Sequence, residues 1–143
     1  MDRLVVKDVV EFRGHANVLS YHPTTIEVTT ESHLTQKGDC IIGVNASKGC
    51  GQLDERLKEG LKRDGSDVTV TITVGDDAFV VKAKGDSRLE LTHPHDIVIR
   101  KSGFVSDRTL AVGANAAACD IPRTLIEKLK DPGVSGTMSI EVA

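Results

Sequence analysis

A run of charged and hydroxyl side chains, RKSGFVSDRT at residues 100–109, is the densest group of chemically capable residues in the chain. The run predicts a loop between strands, where polar side chains either face solvent or hold a ligand. Lys101 and Arg108 are cationic and could hold an anionic group. Asp107 could orient a ligand or act as a base, and Ser106 adds a hydroxyl.

Four polar residues of the first half are candidates for the same site. His15 and Asn17 lie in RGHAN, an irregular connection whose polar side chains can face a cleft, although a structural histidine is the alternative. Asp39 in GDC is a second possible base or orienting group. Asn45 in GVNASKG could contact a ligand or satisfy the backbone of its own loop. With residues 101–108, these side chains predict a polar cleft between two halves that binds a small anionic ligand.

Other reactive residues give weaker signals. The loop GVNASKG precedes a predicted helix, as in many phosphate sites, but lacks the GxxxxGK[ST] spacing.

Cys40, Cys50 and Cys119 are an odd number without CxxC spacing, which indicates a reducing compartment rather than disulfides or zinc. Cys50 and Cys119 precede helices whose dipole can activate a thiol, although packing at the helix entry is the simpler interpretation. His93 and His95 have no third ligand at a diagnostic spacing, so no metal site is predicted and any cofactor is unknown.

Seven stretches rich in β-branched residues with alternating polarity predict strands. The last four of them should form an antiparallel meander, with turns at Gly75-Asp76-Asp77 and at His93-Pro94-His95. The predicted strands are residues 5–13, 24–30, 40–44, 68–74, 79–84, 88–93 and 96–101.

Two short amphipathic helices are predicted. Residues 52–65 carry leucines every four positions, at Leu53, Leu57 and Leu61, which form one apolar stripe. In residues 119–133, Asp120 could cap a helix and Pro122 suits its first turn. That helix would turn its own apolar side chains inward, namely Leu125, Ile126 and Leu129.

The order of motifs repeats along the chain. His22-Pro23 matches His93-Pro94 at an offset of 71 (93 − 22), and Cys50 matches Cys119 at 69. Seven residues from Leu57 to Val74 match residues from Leu125 to Val142 at an offset of 68, which also predicts a closing strand after the second helix. The series predicts an internal duplication, with two halves of about 70 residues related by a pseudo-twofold axis. Asp39 and Arg108 correspond at 69 and could pair between the halves.

Length and composition limit the possible folds, locations and partners of the protein. The 143 residues suit a single α+β domain, 1–143, built from halves of about 1–75 and 76–143 with mostly antiparallel strands. Charged residues in the N-terminal segment argue against a signal peptide or a membrane span, so a cytoplasmic protein is expected. A net charge of −3 argues against a general nucleic-acid binder.

Four segments in combination, EFRGHANV, TTIEVTT, GDCIIGVNASKG and RKSGFVSDRTLAVGANAAACDIPR, resemble a family of small archaeal proteins, domain of unknown function 371. The resemblance spans nearly the whole chain. It implies an archaeal, cytoplasmic, single-domain protein. No established activity accompanies the family, so the resemblance assigns no catalytic residue.

Two other classes of function are alternatives to ligand binding. Basic residues cluster in the second half near Phe104, which favours an RNA-associated module, although acids dilute this basic patch. The basic patch comprises Lys82, Lys84, Arg88, Arg100, Lys101 and Arg108. A structural or interaction subunit would instead expose an apolar patch or form an oligomer. Enzymatic activity is left open because no acid and base occur at a recognised spacing.

Overall fold

The computed structural model describes residues 5–143. Over that range the fold is α+β with mostly antiparallel strands, as the sequence predicts. At seven residues each, the two described α-helices are far shorter than a membrane span. The elements are β1 (Val6–Arg13), β2 (Thr25–Thr29), β3 (Ile41–Gly43), α1 (Glu55–Leu61), β4 (Asp67–Val74), β5 (Asp77–Lys84), β6 (Asp96–Arg100), β7 (Thr109–Ala111), α2 (Arg123–Leu129) and β8 (Ser135–Val142).

The strands form two four-stranded sheets. The first has the order β1-β8-β4-β5 and is antiparallel throughout. The second has the order β3-β2-β6-β7, in which β2 and β6 are antiparallel and each outer strand joins its neighbour in parallel. Each sheet takes two strands from residues 5–75 and two from residues 76–143, so the two halves interlock through both sheets.

The two halves have the same order of elements. Adding 71 to the positions of β1 and β2 gives those of β5 and β6, and adding 68 to β3, α1 and β4 gives β7, α2 and β8. In the ladder between β2 and β6, Glu27 lies opposite Val98, which is also its counterpart at the offset of 71. The same offset relates the pair of Thr25 and Arg100 to the pair of Asp96 and Thr29. These offsets define corresponding positions in the two halves. The origin of the halves by duplication stays a prediction.

The match between Cys50 and Cys119 is wrong. A 3₁₀ turn precedes each helix, at Cys50–Gln52 and Ala118–Asp120, so Cys50 corresponds to Ala118. The backbone agrees, because Gly51 N–H donates to the carbonyl of His93 and Cys119 N–H to that of His22. Cys50 is buried and Cys119 is exposed.

Both predicted helices exist and bury their apolar stripes. Leu57 and Leu61 of α1 are fully buried, and α2 buries its three predicted apolar side chains. The carboxylate of Asp54 caps α1 by accepting from two backbone N–H groups of its first turn. The predicted cap of α2 is wrong, because Pro122 occupies the N-cap and Asp120 instead accepts from the N–H of Ala117 within the 3₁₀ turn.

The predicted four-stranded meander is also wrong. The hairpin of β4 and β5 forms with its turn at Gly75 and Asp76, but residues 88–93 are not a strand. Leu91 adopts a left-handed backbone with φ 54°, which breaks an extended conformation. Strand β6 is not part of the first sheet and pairs with β2 in the second. The alternating leucines of this segment are buried, although its backbone does not form a strand.

The ring of Phe12 packs against one glycine of each sheet. It lies directly against the backbones of Gly43 and Gly136, where an added Cβ atom would overlap its ring carbons. Phe12 itself is 1% exposed. Both positions therefore need glycine because of the close approach of the ring, and not because of an unusual φ angle.

Candidate functional site

The second sheet has one apolar face and one polar face. Side chains alternate between the faces of a strand, and Ile26, Val28, Ile97 and Ile99 are fully buried in the core. The intervening residues of β2 and β6 therefore share the opposite face, which is called the outer face here. Its β2 residues and Val98 are also buried, whereas Asp96 and Arg100 are half-buried. Across the ladder these residues are Thr25 opposite Arg100, Glu27 opposite Val98, and Thr29 opposite Asp96.

Four charged residues meet at this face and are named the charged cluster: Glu27, Asp96, Arg100 and Arg108. Strand β2 supplies the first and β6 the next two, whereas Arg108 immediately precedes β7. Strand β2 belongs to the first half of the chain, whereas β6 and Arg108 belong to the second. The pairing of β2 with β6 therefore brings the two halves together at the site.

Glu27 is the most buried member of the charged cluster, with 8% of its surface exposed. Its carboxylate accepts a long hydrogen bond from the thiol of Cys40, with 3.9 Å between sulfur and oxygen. Burial raises the pKa of Glu27 to about 7, with a further increase from the charge of Asp96. The charges of Arg108 and Arg100 oppose this increase without cancelling it.

Arg108 is positioned by backbone and side-chain contacts. Its carbonyl accepts from the N–H of Val98 at 2.9 Å, which joins the start of β7 to β6. Its guanidinium donates to the carboxylate of Asp96, also at 2.9 Å, and this hydrogen bond raises the pKa of Arg108. The sequence allowed Arg108 to pair with Asp39, but in the structure Arg108 pairs with Asp96 instead. The Arg108 side chain is 45% exposed and can also reach a ligand.

Arg100 is held by hydroxyl groups. Its Nε donates to Oγ1 of Thr109 at 2.9 Å, and its Nη2 donates to Oγ of Ser106 at 3.3 Å. The guanidinium carbon lies 4.9 Å from the centre of the Phe104 ring, within the range of a cation–π contact. Burial lowers the pKa of Arg100, as does the charge of Arg108, but a guanidinium stays charged in proteins.

Two His-Pro turns lead into β2 and β6. Nδ1 of His93 accepts from the N–H groups of His95 and Asp96, and Nδ1 of His22 accepts in the same way from Thr25. The neutral rings therefore carry their proton on Nε2. Nε2 of His93 lies 3.9 Å from the Asp96 carboxylate. The repeated His-Pro motif thus fixes the turns that start the two central strands.

The structure places some of the residues predicted for the site at or beside the charged cluster. Arg108 is a member, and Ser106 contacts Arg100. Asp39 and Asp107 occupy corresponding positions, where their carbonyls accept the N–H groups of residues 21 and 22 and of residues 92 and 93. Lys101 is exposed and pairs with Asp120 at 3.4 Å.

The remaining predicted residues make other contacts. Asn17 donates its side-chain amide to the carbonyl of Leu34 at 2.8 Å, and Nδ1 of His15 accepts from the N–H of Asn17. Asn45 is exposed, with a left-handed φ of 51° in the loop after β3. Among the described residues, none of these three shares a hydrogen bond or ion pair with the charged cluster.

Sequence reasoning missed Glu27 and Asp96 as site residues. It included Arg100 in the polar run at residues 100–109 but not among the ligand-binding residues. Glu27 is the only charged residue in the stretch TTIEVTT, and a carboxylate at the middle of a short β-branched strand is a usable signal. Asp96 and Arg100 begin and end the stretch DIVIR, where they look like ordinary strand ends.

A groove of about 560 Å³ lies at another place, along β4, β5 and the end of β8. Lys82 and Lys84 line it, but Lys82 donates to the hydroxyl of Thr69 and Lys84 pairs with Asp67. The groove is separate from the charged cluster, and the acids Asp67 and Glu141 line it beside the two lysines. Within residues 5–143, no three His, Cys, Asp or Glu side chains are arranged to hold a metal ion.

The chain belongs to the family described as domain of unknown function (DUF371), whose model matches residues 10–143. It is also 41% identical over 123 residues to an uncharacterized protein of the archaeon Methanocaldococcus jannaschii. That alignment covers 86% of this chain and 90% of the relative. The resemblance found in the sequence segments is therefore confirmed.

Proposed function

We propose that the protein binds a small anionic ligand on the outer face of the second sheet, where β2 and β6 bring the two halves together. Arg100 and Arg108 hold the anionic group in this proposal. The observation that carries it is the concentration of four charged side chains at one face of this sheet.

The corresponding positions of the two halves support this argument. Each charged residue of the cluster corresponds to an uncharged residue at the matching position of the other half. The corresponding pairs are Glu27 with Val98, Asp96 with Thr25, Arg100 with Thr29, and Arg108 with Cys40. At each of these positions, one of the two corresponding strands or loops therefore forms with an uncharged side chain. Burying charged groups carries a free-energy penalty, which favours a functional reason for retaining them.

The two arginines suit an oxyanion. Arg108 uses one nitrogen for Asp96 and is 45% exposed, so other N–H groups of its planar fork can donate to a ligand. Arg100 is hydrogen-bonded to two neutral hydroxyls rather than to a carboxylate. Within residues 5–143 no hydrogen bond joins its guanidinium to a carboxylate, although the charge of Glu27 acts on it.

Calorimetric titration with sulfate at pH 6 tests the proposal. Replacement of Arg108 with glutamine should weaken sulfate binding about tenfold or more, since one charge-assisted contact contributes about 1.5–3 kcal/mol. Arg56→Gln removes the same charge from an exposed position on α1 and is the matched control. Equal affinities of the two variants for sulfate would contradict the site.

Native mass spectrometry of the protein purified from its own cells would identify the physiological ligand. The proposal predicts a retained species that carries a phosphate or carboxylate group and is lost in the denatured spectrum. It also predicts that Arg108→Gln, purified in the same way, retains less of that species. A retained ligand without any anionic group would contradict the proposal.

An RNA-associated module is the alternative function, and Phe104 favours it. Its ring is 61% exposed and lies beside Arg100, so a base could stack there. Against this, Arg88 pairs with Asp86 and Lys84 with Asp67, which neutralises part of the basic patch. Binding of a single-stranded RNA that weakens steeply with salt and is lost in Phe104→Ala would favour the alternative.

A further inference from the structure

The charge of Glu27 opposes the binding of an anion at the two arginines. When Glu27 is ionised, the charged cluster has two positive and two negative groups and no net charge. When Glu27 is protonated, the cluster has a net charge of +1. An entering anion therefore interacts more favourably with the protonated form, because the repulsion from this carboxylate disappears.

We propose that anion binding at this site is coupled to protonation of Glu27, so that an oxyanion and one proton bind together and leave together. The inference rests on the proposed function, because it concerns the same site. The proton comes from solvent and forms an O–H bond on the Glu27 carboxylate. No electrons are transferred and no covalent bond to the ligand forms.

The surroundings of Glu27 support this coupling. The carboxylate lies at the middle of the β2–β6 ladder, opposite the apolar side chain of Val98. Within residues 5–143, its one hydrogen bond from a side chain is the long contact with the Cys40 thiol. A protonated carboxyl can instead donate a hydrogen bond to a bound oxyanion. The anion and the proton would thus stabilise each other.

The neighbouring ionisable groups have other roles. Asp96 is paired with Arg108, and Arg100 and Arg108 stay charged at neutral pH. Burial raises the pKa of Cys40 to about 11, so this residue stays a neutral thiol. Two further acids, Asp39 and Asp107, precede Cys40 and Arg108 directly in the chain. They lie before β3 and β7.

Two histidines also lie near this face, at the turns before β2 and β6. Nδ1 of His22 contacts the hydroxyl of Thr25, and Nε2 of His93 faces Asp96. A histidine variant in the test therefore separates any contribution of these side chains from that of Glu27. The pKa of Glu27, raised to about 7, places its own titration within physiological pH.

The test measures sulfate affinity at pH 6 and pH 8, because sulfate keeps the same charge at both values. If only the protonated form binds, affinity scales with the protonated fraction. With a pKa of about 7, affinity should be about tenfold weaker at pH 8 than at pH 6. Calorimetry in two buffers of different ionisation enthalpy at pH 8 should show uptake of close to one proton per sulfate.

Glu27→Gln provides the decisive comparison, because glutamine resembles a carboxyl that is always protonated. The variant should bind sulfate at pH 8 nearly as tightly as at pH 6, without proton uptake attributable to residue 27. Glu27→Val, which copies the corresponding Val98, is a second variant in case glutamine perturbs folding. It should lack the pH dependence as well. His93→Asn measures the histidine contribution, and it should keep the tenfold change.

The possible outcomes separate the two proposals. If wild type and Glu27→Gln lose the same affinity between pH 6 and pH 8, the coupling is wrong while the anion site stands. If His93→Asn alone removes the change, the proton belongs to His93 and the coupling to Glu27 is again overturned. If wild type binds no sulfate at either pH, the anion site fails and the coupling fails with it.

Discussion

Replacing Glu27 with glutamine should remove a pH-dependent loss of stability from the protein. The folded pKa of about 7 lies above the ordinary value of 4.5 expected in the unfolded chain. The folded state therefore holds a proton that the unfolded state has already lost between these pH values. Stability contributed by the protonated carboxyl is fully present below pH 4.5 and is lost as pH rises through about 7.

The expected magnitude follows from the size of the pKa shift. A shift from 4.5 to about 7 corresponds to about 3 kcal/mol of stability, and roughly 2 to 3 kcal/mol of it changes between pH 5 and pH 8. Glutamine has a similar shape and does not titrate. The difference in unfolding free energy between Glu27→Gln and wild type should therefore shift in favour of the variant by this amount as pH rises.

Urea denaturation of wild type and variant at pH 5 and pH 8 measures this difference. Glu59→Gln makes the same chemical change on an exposed position of α1 and is the matched control. Its difference from wild type should be nearly the same at the two pH values. The reasoning is refuted if Glu27→Gln behaves like this control, or if the difference shifts in favour of wild type between pH 5 and pH 8.

Three further predictions concern other parts of the fold. Gly43→Ala should destabilise the protein by about 1–3 kcal/mol in urea denaturation, because the new methyl group overlaps the Phe12 ring; unchanged stability would mean that the ring is not held there. Arg123→Ala should lower the unfolding free energy by roughly 1–3 kcal/mol, since its guanidinium donates to the carbonyls of residues 19 and 20 at 2.8 and 2.7 Å; Arg123→Lys should restore only part of it. Iodoacetamide followed by peptide mass spectrometry should label exposed Cys119 in the folded protein but not Cys50, because Cys50 is buried and its pKa is raised to about 12; rapid labelling of Cys50 would contradict its placement.

The elements that alternate regularly could be predicted from the sequence. Strand β4 buries every second residue, and α1 buries Leu57 and Leu61, so local periodicity was sufficient for both. Strand β7 has only three residues, all buried, and carries no alternating pattern that could be recognised. The segment at residues 88–93 misled the prediction because its leucines alternate while the backbone turns at Leu91.

The pairing of strands was beyond local reasoning. The chain order suggests that β6 should follow β5 in one sheet, as sequential strands usually pair. It instead lies against β2, about 70 residues away in the sequence, because the buried faces of these two strands complete the core together. The correspondence between the halves shows which positions are equivalent. It does not show which strands pair with each other, so it could not predict the sheets by itself.

The candidate site shows the same limit. Arg108 and Ser106 could be proposed because they lie in a conspicuously polar loop. Glu27, Asp96 and Arg100 lie inside strands, and their meeting depends on the register of β2 with β6. A sequence shows which residues are unusual for a strand, but only the ladder shows which of them face one another.

The anion site is tested most directly by nuclear magnetic resonance of the backbone amides during a titration with sulfate at pH 6. The largest saturable shifts should fall on β2, on β6 and on residues 101–109, with little change at Lys82 and Lys84 in the separate groove. Arg108→Gln should reduce these shifts at equal sulfate concentration. Shifts centred on the groove, or no saturable shifts within residues 24–30 and 96–109, would contradict the placement of the anion on the charged cluster.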